Sequence, residues 1–189
     1  MNVTERVFPH LLRLLALAAA LGCAGFARAD DYADVGALIR SRQFTAAIAK
    51  ADQYIAGKPR DPQMRFLKGV AQTEAGQTAE AMATFTALNQ EYPELAEPYN
   101  NLAVLYAAQA QFDKAREALE KALKANPNYA VAHENLGDVY AKLASLSYAR
   151  AQQLDATNTA VPPKLALIRQ LLPQKAAPPA STGASAPRS

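Results

Sequence analysis

The sequence predicts an all-α fold, a solenoid built from stacked helical units, and three observations support this. Pro59, Pro93 and Pro127 are equally spaced along the chain, and their repeat period of about 34 residues is typical of stacked supersecondary units. Small residues follow the same period in two series, Ala47, Ala81, Ala115 and Gly69, Ala103, Gly137. The chain is also rich in alanine and has no tryptophan, which favours closely packed helices over a sheet.

Residues 1–29 have the features of a signal peptide rather than of the fold. Arg6 and Arg13 precede the apolar run of residues 14–25, and Ala27 and Ala29 place small residues just before Asp30. The run is shorter than the roughly 20 residues that a membrane-spanning helix needs. We therefore expect an exported protein, periplasmic in a bacterial cell, whose mature chain begins near Asp30.

Cys23 offers an alternative to cleavage after Ala29. Gly22 before the cysteine suits a lipoprotein signal, although Ala20 stands where a large aliphatic residue is usual. Lipidation at Cys23 would anchor the chain to the outer membrane. Cleavage after Ala29 would instead leave a mature chain without cysteine, which excludes disulfides and thiolate chemistry.

The charge balance of the chain after residue 29 says little about its partners. Removal of residues 1–29 leaves 17 basic and 16 acidic side chains, and no Lys/Arg cluster indicates nucleic-acid binding.

Residues 173–189 are rich in Pro, Ala and Ser and have no apolar periodicity. We expect a disordered C-terminal tail, because such a segment buries too little apolar surface to offset its ordering entropy.

Residues 96–129 form the most regular unit. Large residues, small residues and a proline alternate in a defined order at eight positions of this unit: Tyr99, Leu102, Ala103, Tyr106, Ala115, Leu119, Ala122 and Pro127. This pattern resembles the tetratricopeptide repeat family. The resemblance implies a right-handed superhelical α-solenoid of antiparallel helix pairs. The alanines let the paired helices approach closely, and Pro127 ends the second helix because it lacks an N–H.

Two units precede this one, and both diverge from the pattern. Residues 62–95 keep Gly69, Phe85 and Pro93, whereas three large positions of the first helix hold polar residues: Arg65, Lys68 and Gln72. An alternative apolar face comprises Met64, Phe66, Leu67 and Val70, so we expect that helix to be rotated or less tightly packed. Residues 30–61 form a divergent first repeat, with Leu38 and Ile48 as expected core residues.

The fourth unit, residues 130–156, is shortened. It begins with His133, Leu136, Gly137 and Tyr140 at core positions, but the matching second-helix residues come five positions too early. No Gly, Pro, Asn or Asp lies between Ala141 and Leu154, so we expect one continuous helix from near Val131 to near Asp155. A rival alignment keeps full spacing, places Gln153 in the core and requires a bend between Leu143 and Ser147.

A short capping helix is expected over residues 162–172. Leu165, Ile168 and Leu172 share one face of it and would cover the exposed end of the stack.

The sequence contains few residues that could perform catalysis, because His133 is the only histidine after residue 29 and stands at an expected core position. We therefore expect no enzymatic activity, no metal site and no cofactor.

The resemblance also implies a concave groove lined by the first helix of each pair. The groove residues it indicates here are Phe66, Val70, Glu97, Asn100, Asn101, Val104, Glu134, Asn135 and Asp138. Asn101 and Asn135 occupy equivalent positions and are either rungs that hydrogen-bond an extended ligand backbone or solvated, helix-capping asparagines. The lysine, asparagine and arginine pattern by which some members grip a C-terminal carboxylate is not present.

The expected function is accordingly a non-enzymatic scaffold or adaptor of the bacterial cell envelope that binds a peptide or a partner helix. The alternative is an outer-membrane lipoprotein assembly factor anchored through Cys23. Both expectations name other proteins as partners, without nucleic acid or small-molecule cofactor, and membrane contact follows only from lipidation.

Overall fold

The computed structural model describes residues 27–172, and within this range the chain forms eight helices and no strand. The helices are α1 Ala27–Arg40, α2 Phe44–Gly57, α3 Pro62–Glu74, α4 Thr78–Glu91, α5 Ala96–Ala108, α6 Phe112–Ala125, α7 Ala130–Leu154 and α8 Val161–Leu171. The predicted all-α fold is confirmed. Cys23, the predicted tail and all but the last residues of the predicted signal peptide lie outside the described range.

The helices stack in chain order as a solenoid. Each packs on the next, so that α1–α2, α3–α4 and α5–α6 form three successive pairs, followed by α7 and α8. Three core clusters occupy the interfaces, the first around Met64, the second around Phe85 and the third around Leu119, all fully buried. Leu38 and Ile48, expected in the core, are partly buried at the edge of the first cluster. Among the described helices, none is both long enough and apolar enough to cross a bilayer.

The turn inside each pair recurs with the same period as the prolines. Arg42, Gly76 and Ala110 all have left-handed backbone conformations, with φ of 60°, 75° and 57°. The residue after each of them is a glutamine, whose N–H donates to the carbonyl oxygen five residues earlier at 2.9 Å. This bond pattern closes the end of the first helix and directs the chain back along it.

The third helix keeps the orientation of the repeat, and the predicted alternative of a rotated helix is wrong. A Cβ atom on Gly69 would lie 2.6 Å from Cε1 of Phe85, so this position faces the second helix of its pair. Gln72 is buried and accepts a hydrogen bond from the Thr84 hydroxyl at 2.7 Å. The polar residue is tolerated because its side-chain oxygen has a partner. The prediction that α3 is less tightly packed fits the structure better, since α3 packs on α4 less extensively than α5 packs on α6.

The two charged residues on α3 are partly buried, and each makes an ion pair with a neighbouring helix. Arg65 makes a two-bond contact with Glu91, with nitrogen–oxygen distances of 2.8 and 2.9 Å. Lys68 Nζ lies 2.6 Å from a carboxylate oxygen of Asp52 on α2. Long side chains of this kind cover apolar surface with their stems while their charged ends reach water.

The divergent first repeat is tied to the second by a small polar cluster. The Tyr32 hydroxyl lies 2.8 Å from that of Tyr54, and both donate to one carboxylate oxygen of Asp61. The other carboxylate oxygen caps α3 by accepting from the Met64 N–H at 2.9 Å. Partial burial opposes ionisation of Asp61, but these hydrogen bonds together hold its pKa below the usual value.

The fourth unit has no turn. Helix α7 runs without interruption over 25 residues, and the Ser147 hydroxyl donates to the Leu143 carbonyl oxygen within it at 2.9 Å. Ala144 stands one repeat period after Ala110 yet lies inside the helix. The predicted continuous helix is therefore what the structure has, in place of the fold-back that the rival alignment requires.

The last helix returns along α7. The Lys164 ammonium lies 6.0 Å from the ring centre of Tyr148, and Leu172 reaches the neighbourhood of Val139, so α8 runs antiparallel to α7. Leu165 and Leu172 are buried and Ile168 is half-buried, in agreement with the predicted capping face.

The first turns of α7 differ from the expectation that they form a core. His133 is exposed, with a ring nitrogen 2.9 Å from the Pro127 carbonyl oxygen, and Tyr140 is 49% exposed. A Cβ atom on Gly137 would meet nothing within 4 Å. These three residues occupy positions that a second helix covers in a complete pair. The prediction of a buried His133 is wrong because no such helix folds back over the start of α7.

Candidate functional site

The predicted groove residues lie on α3, α5 and α7, the helices that begin successive units. Glu97, Glu134 and Asp138 are exposed, Val104 is 45% exposed, and Asn100 is buried. Phe66, Val70, Asn101 and Asn135 are partly buried. Five of these nine side chains line two cavities: Val104, Asn135 and Asp138 line one, and Phe66 and Glu97 line the other. The remaining four, Val70, Asn100, Asn101 and Glu134, line neither cavity.

The larger of these two cavities lies where α5, α6 and α7 meet and has a volume of about 330 Å³. It is lined by Ala103, Val104, Ala107, Phe112, Leu119, Asn135, Asp138, Val139, Lys142 and Leu172. Most of this lining is aliphatic or aromatic carbon. The polar groups come from Asn135, Asp138 and Lys142, so the cavity combines an apolar interior with one carboxylate, one ammonium and one amide.

The second cavity, of about 280 Å³, lies between the start of α3 and the start of α5. Pro62, Phe66, Leu95 and Pro98 supply apolar walls, and Gln63 and Glu97 add polar groups. The Phe66 ring is held by Phe85, with ring centres 5.7 Å apart and planes tilted by 52°. Val70, another predicted groove residue, packs at the edge of the Phe85 cluster.

The two equivalent asparagines use their amide nitrogens in different ways. Asn101 Nδ2 donates to the backbone carbonyl of Glu97 at 2.9 Å, within its own helix. Asn135 Nδ2 donates to Asn100 Oδ1 at 2.8 Å, which links α7 to α5. Each amide nitrogen has a second hydrogen and each side chain has a carbonyl oxygen. Asn135 is the better positioned of the two for a ligand, because it also lines the larger cavity.

Glu97 influences a residue at the start of α7. Burial first, and then the nearby Glu97 carboxylate, raise the pKa of Tyr129 above its usual value. The Glu97 carboxylate on α5 therefore acts on the hydroxyl of the residue that precedes α7.

Six apolar residues that line the larger cavity are absent from the predicted groove. Ala103, Ala107, Phe112 and Leu119 belong to the helix pair α5–α6, Val139 lies on α7, and Leu172 follows the last helix. The spacing of Leu165, Ile168 and Leu172 indicates an apolar face, but it contains no signal for where that face would pack. Within residues 27–172, no three His, Cys, Asp or Glu side chains are grouped closely enough to hold a metal ion.

Comparisons with known proteins agree with this architecture. Two profiles described as tetratricopeptide repeat match residues 26–96 and 73–134, which together span more than half of the chain. No curated protein matches the sequence significantly.

Solved structures share the fold at low identity. The Sgt2 TPR domain from Aspergillus fumigatus is 18% identical with a TM-score of 0.59, over 62% of this chain and 80% of that one. A thermophilic TPR protein of Thermus thermophilus is 22% identical with a TM-score of 0.57, over 75% and 81%. The first TPR of Spaghetti, bound to an HSP90 peptide, is 16% identical with a TM-score of 0.56, over 60% and 90%.

Three observations lead to one family assignment. They are the repeat spacing, the three helix pairs with their matching turns, and the two profile matches. This chain belongs to the tetratricopeptide repeat family.

Proposed function

We propose that this protein is a non-enzymatic scaffold or adaptor of the bacterial cell envelope, which holds a peptide or a partner helix in the groove formed by α3, α5 and α7. The observation that carries the proposal is the cavity beside Val104. Its apolar interior and its few polar groups are typical of a recognition pocket. The tetratricopeptide repeat is an interaction module, so a binding role agrees with the fold.

The ligand that fits the larger cavity best is a polypeptide with a large apolar side chain. Ala107, Phe112 and Val139 present carbon surface to such a side chain. Asp138 and Lys142 stand on the same helix at the cavity and can meet opposite charges on the ligand. A structural neighbour holds a peptide. The motif for gripping a C-terminal carboxylate is not present here, so the proposal concerns internal or helical segments.

The envelope location rests on residues 1–29 alone, which have the composition of an export signal. Mass spectrometry of the mature N-terminus in a bacterial host separates the two forms. A chain beginning at Asp30 supports soluble periplasmic export, and an acylated Cys23 supports the lipoprotein alternative. A mature chain that retains Met1 and the whole of residues 1–29 would contradict both.

Peptide selection tests the binding role. We expect peptides selected from a display library against the mature chain to contain a large apolar residue. Val104→Glu should weaken their binding by about 10-fold or more, because it places a charge at the apolar wall. Binding is measured by isothermal titration calorimetry.

Tyr140→Glu is the matched control. Tyr140 is 49% exposed, close to the 45% of Val104, but it lies on a different face of α7 from Asp138 and Lys142. The control variant should bind selected peptides as the unmodified protein does. If both variants weaken peptide binding equally, or if neither weakens it, the groove is not the binding surface.

A further inference from the structure

The last residue that the structure describes lies at the larger cavity of the groove. Leu172 follows α8 and lines that cavity together with Val104 and Asp138. Its side chain is only 9% exposed, so packing holds the residue in place. Its backbone is extended, with φ of −85° and ψ of 139°, as expected for a residue that precedes a proline. Residues 173–189 are therefore attached at the cavity itself and not at a remote surface.

The direction of α8 carries the chain toward acidic side chains. Helix α8 runs antiparallel to α7, so a chain that continues beyond Leu172 heads for the start of α7. Glu134 lies there, one turn before Asp138 on the same face of the helix. Both carboxylates are exposed, and no ion pair within residues 27–172 joins either of them to Lys142 or to another cation. They can therefore pair with a positively charged group from outside the described range.

The segment that begins here has the opposite charge. Residues 173–189 contain two cations, Lys175 and Arg188, and no Asp or Glu. Lys175 comes three residues after Leu172, so its Cα lies at most about 11 Å from that of Leu172. Asp138 lines the same cavity as Leu172 and is within reach of the Lys175 side chain. Arg188 lies near the far end of the segment and has no such constraint, so charge complementarity favours a contact of Lys175 in particular.

The apolar residues of the segment suit the cavity but fill it incompletely. Pro178 and Pro179 present ring carbons, and proline-rich segments dock in apolar grooves with little loss of conformational entropy. Val104 and Phe112 supply carbon surface for them. The segment contains no Val, Leu, Ile, Met, Phe or Tyr. It therefore fills the volume of about 330 Å³ less completely than a ligand with a large apolar side chain, and such a ligand can displace it.

We propose that residues 173–180 of this chain occupy the larger cavity of the groove when no partner is bound, with the Lys175 ammonium beside the carboxylates of Asp138 and Glu134. The inference rests on the proposed function, because it concerns regulation of the same binding surface. The tether favours this occupant over a second copy or a free peptide of similar sequence, since a short linker gives an effective concentration on the order of 1 mM. A partner must exceed this competition in order to bind.

Two charge reversals in the full mature chain test the contact. Lys175→Glu places a like charge beside Asp138 and should release the segment from the cavity. Arg188→Glu changes the net charge of the protein by the same amount at the far end of the segment, so it controls for long-range electrostatic effects.

Methyl NMR of the mature chain without ligand gives the first measurement. Lys175→Glu should shift the methyl signals of Val104 and Val139, which line the cavity. Arg188→Glu should leave both signals in place, because the segment stays bound.

Isothermal titration calorimetry with an uncharged selected peptide gives the second measurement. Lys175→Glu should strengthen binding by at least about threefold, which corresponds to occupation of the cavity by the segment for about two-thirds of the time. Arg188→Glu should bind the peptide as the unmodified protein does.

Unchanged methyl signals or unchanged peptide affinity in Lys175→Glu would overturn the inference, and so would equal changes in both variants. If Val104→Glu still weakens peptide binding in that case, the groove remains the binding surface and only the role of the segment is lost. If Val104→Glu has no effect either, the proposed function fails as well, because the selected peptides then bind elsewhere.

Discussion

Alanine substitution should stabilise the protein at Gly137 but not at Gly69, although the two glycines occupy the same repeat position in the fourth and second units. Both lie inside helices, α3 and α7, where replacing glycine by alanine is worth about 1 kcal/mol in helix propensity. Their surroundings differ, since a new Cβ at Gly69 would lie 2.6 Å from Phe85 Cε1, whereas at Gly137 it would meet nothing within 4 Å.

The stability change caused by Gly69→Ala depends on whether the Phe85 ring can move. Carbon atoms in contact normally lie about 3.5–4.0 Å apart, so the Phe85 ring would have to shift by roughly 1 Å. Phe85 is fully buried and packs against Phe66, which leaves it little freedom. Overpacking of this kind costs about 1–3 kcal/mol. Gly137→Ala should therefore raise the free energy of unfolding by about 1 kcal/mol, and Gly69→Ala should change it by about 0 to −2 kcal/mol.

Urea denaturation followed by circular dichroism measures both variants against the unmodified protein. The difference between the two variants should be about 1–3 kcal/mol, with similar slopes against urea concentration. The double variant Gly69→Ala with Phe85→Leu serves as a control, because a smaller partner relieves the contact and makes the two substitutions less than additive. If Gly69→Ala stabilises the protein as much as Gly137→Ala, the close approach of α3 and α4 at this position is refuted.

Three further predictions concern turns and titrating groups. Ala110→Gly should stabilise the protein by about 1 kcal/mol and Gly76→Ala should destabilise it similarly, because both positions have positive φ; urea denaturation measures each, and same-sign changes would contradict the turn assignment. Asp61→Ala should cost about 1–3 kcal/mol near pH 7 through the lost cap and tyrosine bonds. Because the pKa of Asp61 is lowered, its contribution should be present above about pH 4 and be lost as pH falls further; a constant difference between wild type and variant down to pH 2 would refute it. Burial and then the bond to Asp61 raise the pKa of Tyr32, so its contribution should persist below about pH 10 and be lost above that pH. Tyr32→Phe should reduce the dependence of the melting temperature on pH between pH 9 and 11, and an unchanged pH dependence would contradict this.

Much of the fold could be predicted from the sequence because the repeat constrains it at several levels. The even spacing of Pro59, Pro93 and Pro127 reappears as the spacing between the turns at Arg42, Gly76 and Ala110. The uninterrupted α7 also followed from the sequence, since nothing between 141 and 154 ends a helix.

The errors came from assuming that a repeat position implies its usual neighbours. His133 and Tyr140 have core positions in the pattern, but burial depends on a second helix that the fourth unit lacks. On α3, an apolar face at Met64 and Phe66 suggested rotation, whereas the contact between Gly69 and Phe85 sets the orientation.

The site was harder to predict because side chains from distant parts of the chain complete it. Val104, Asn135 and Asp138 were found from their repeat positions, and the structure brings them to one cavity. Leu172 follows the last helix, beyond the repeats, so no repeat position indicates that it closes the same cavity.

Methyl NMR of the mature chain with a selected peptide tests the groove most directly. Leucine and valine methyl groups would be labelled and their shifts followed during titration. The largest changes should occur at Val104, Val139 and Leu172, which line one cavity. Changes concentrated instead at Leu154 and Leu167, which are 71% and 64% exposed outside that cavity, would contradict it.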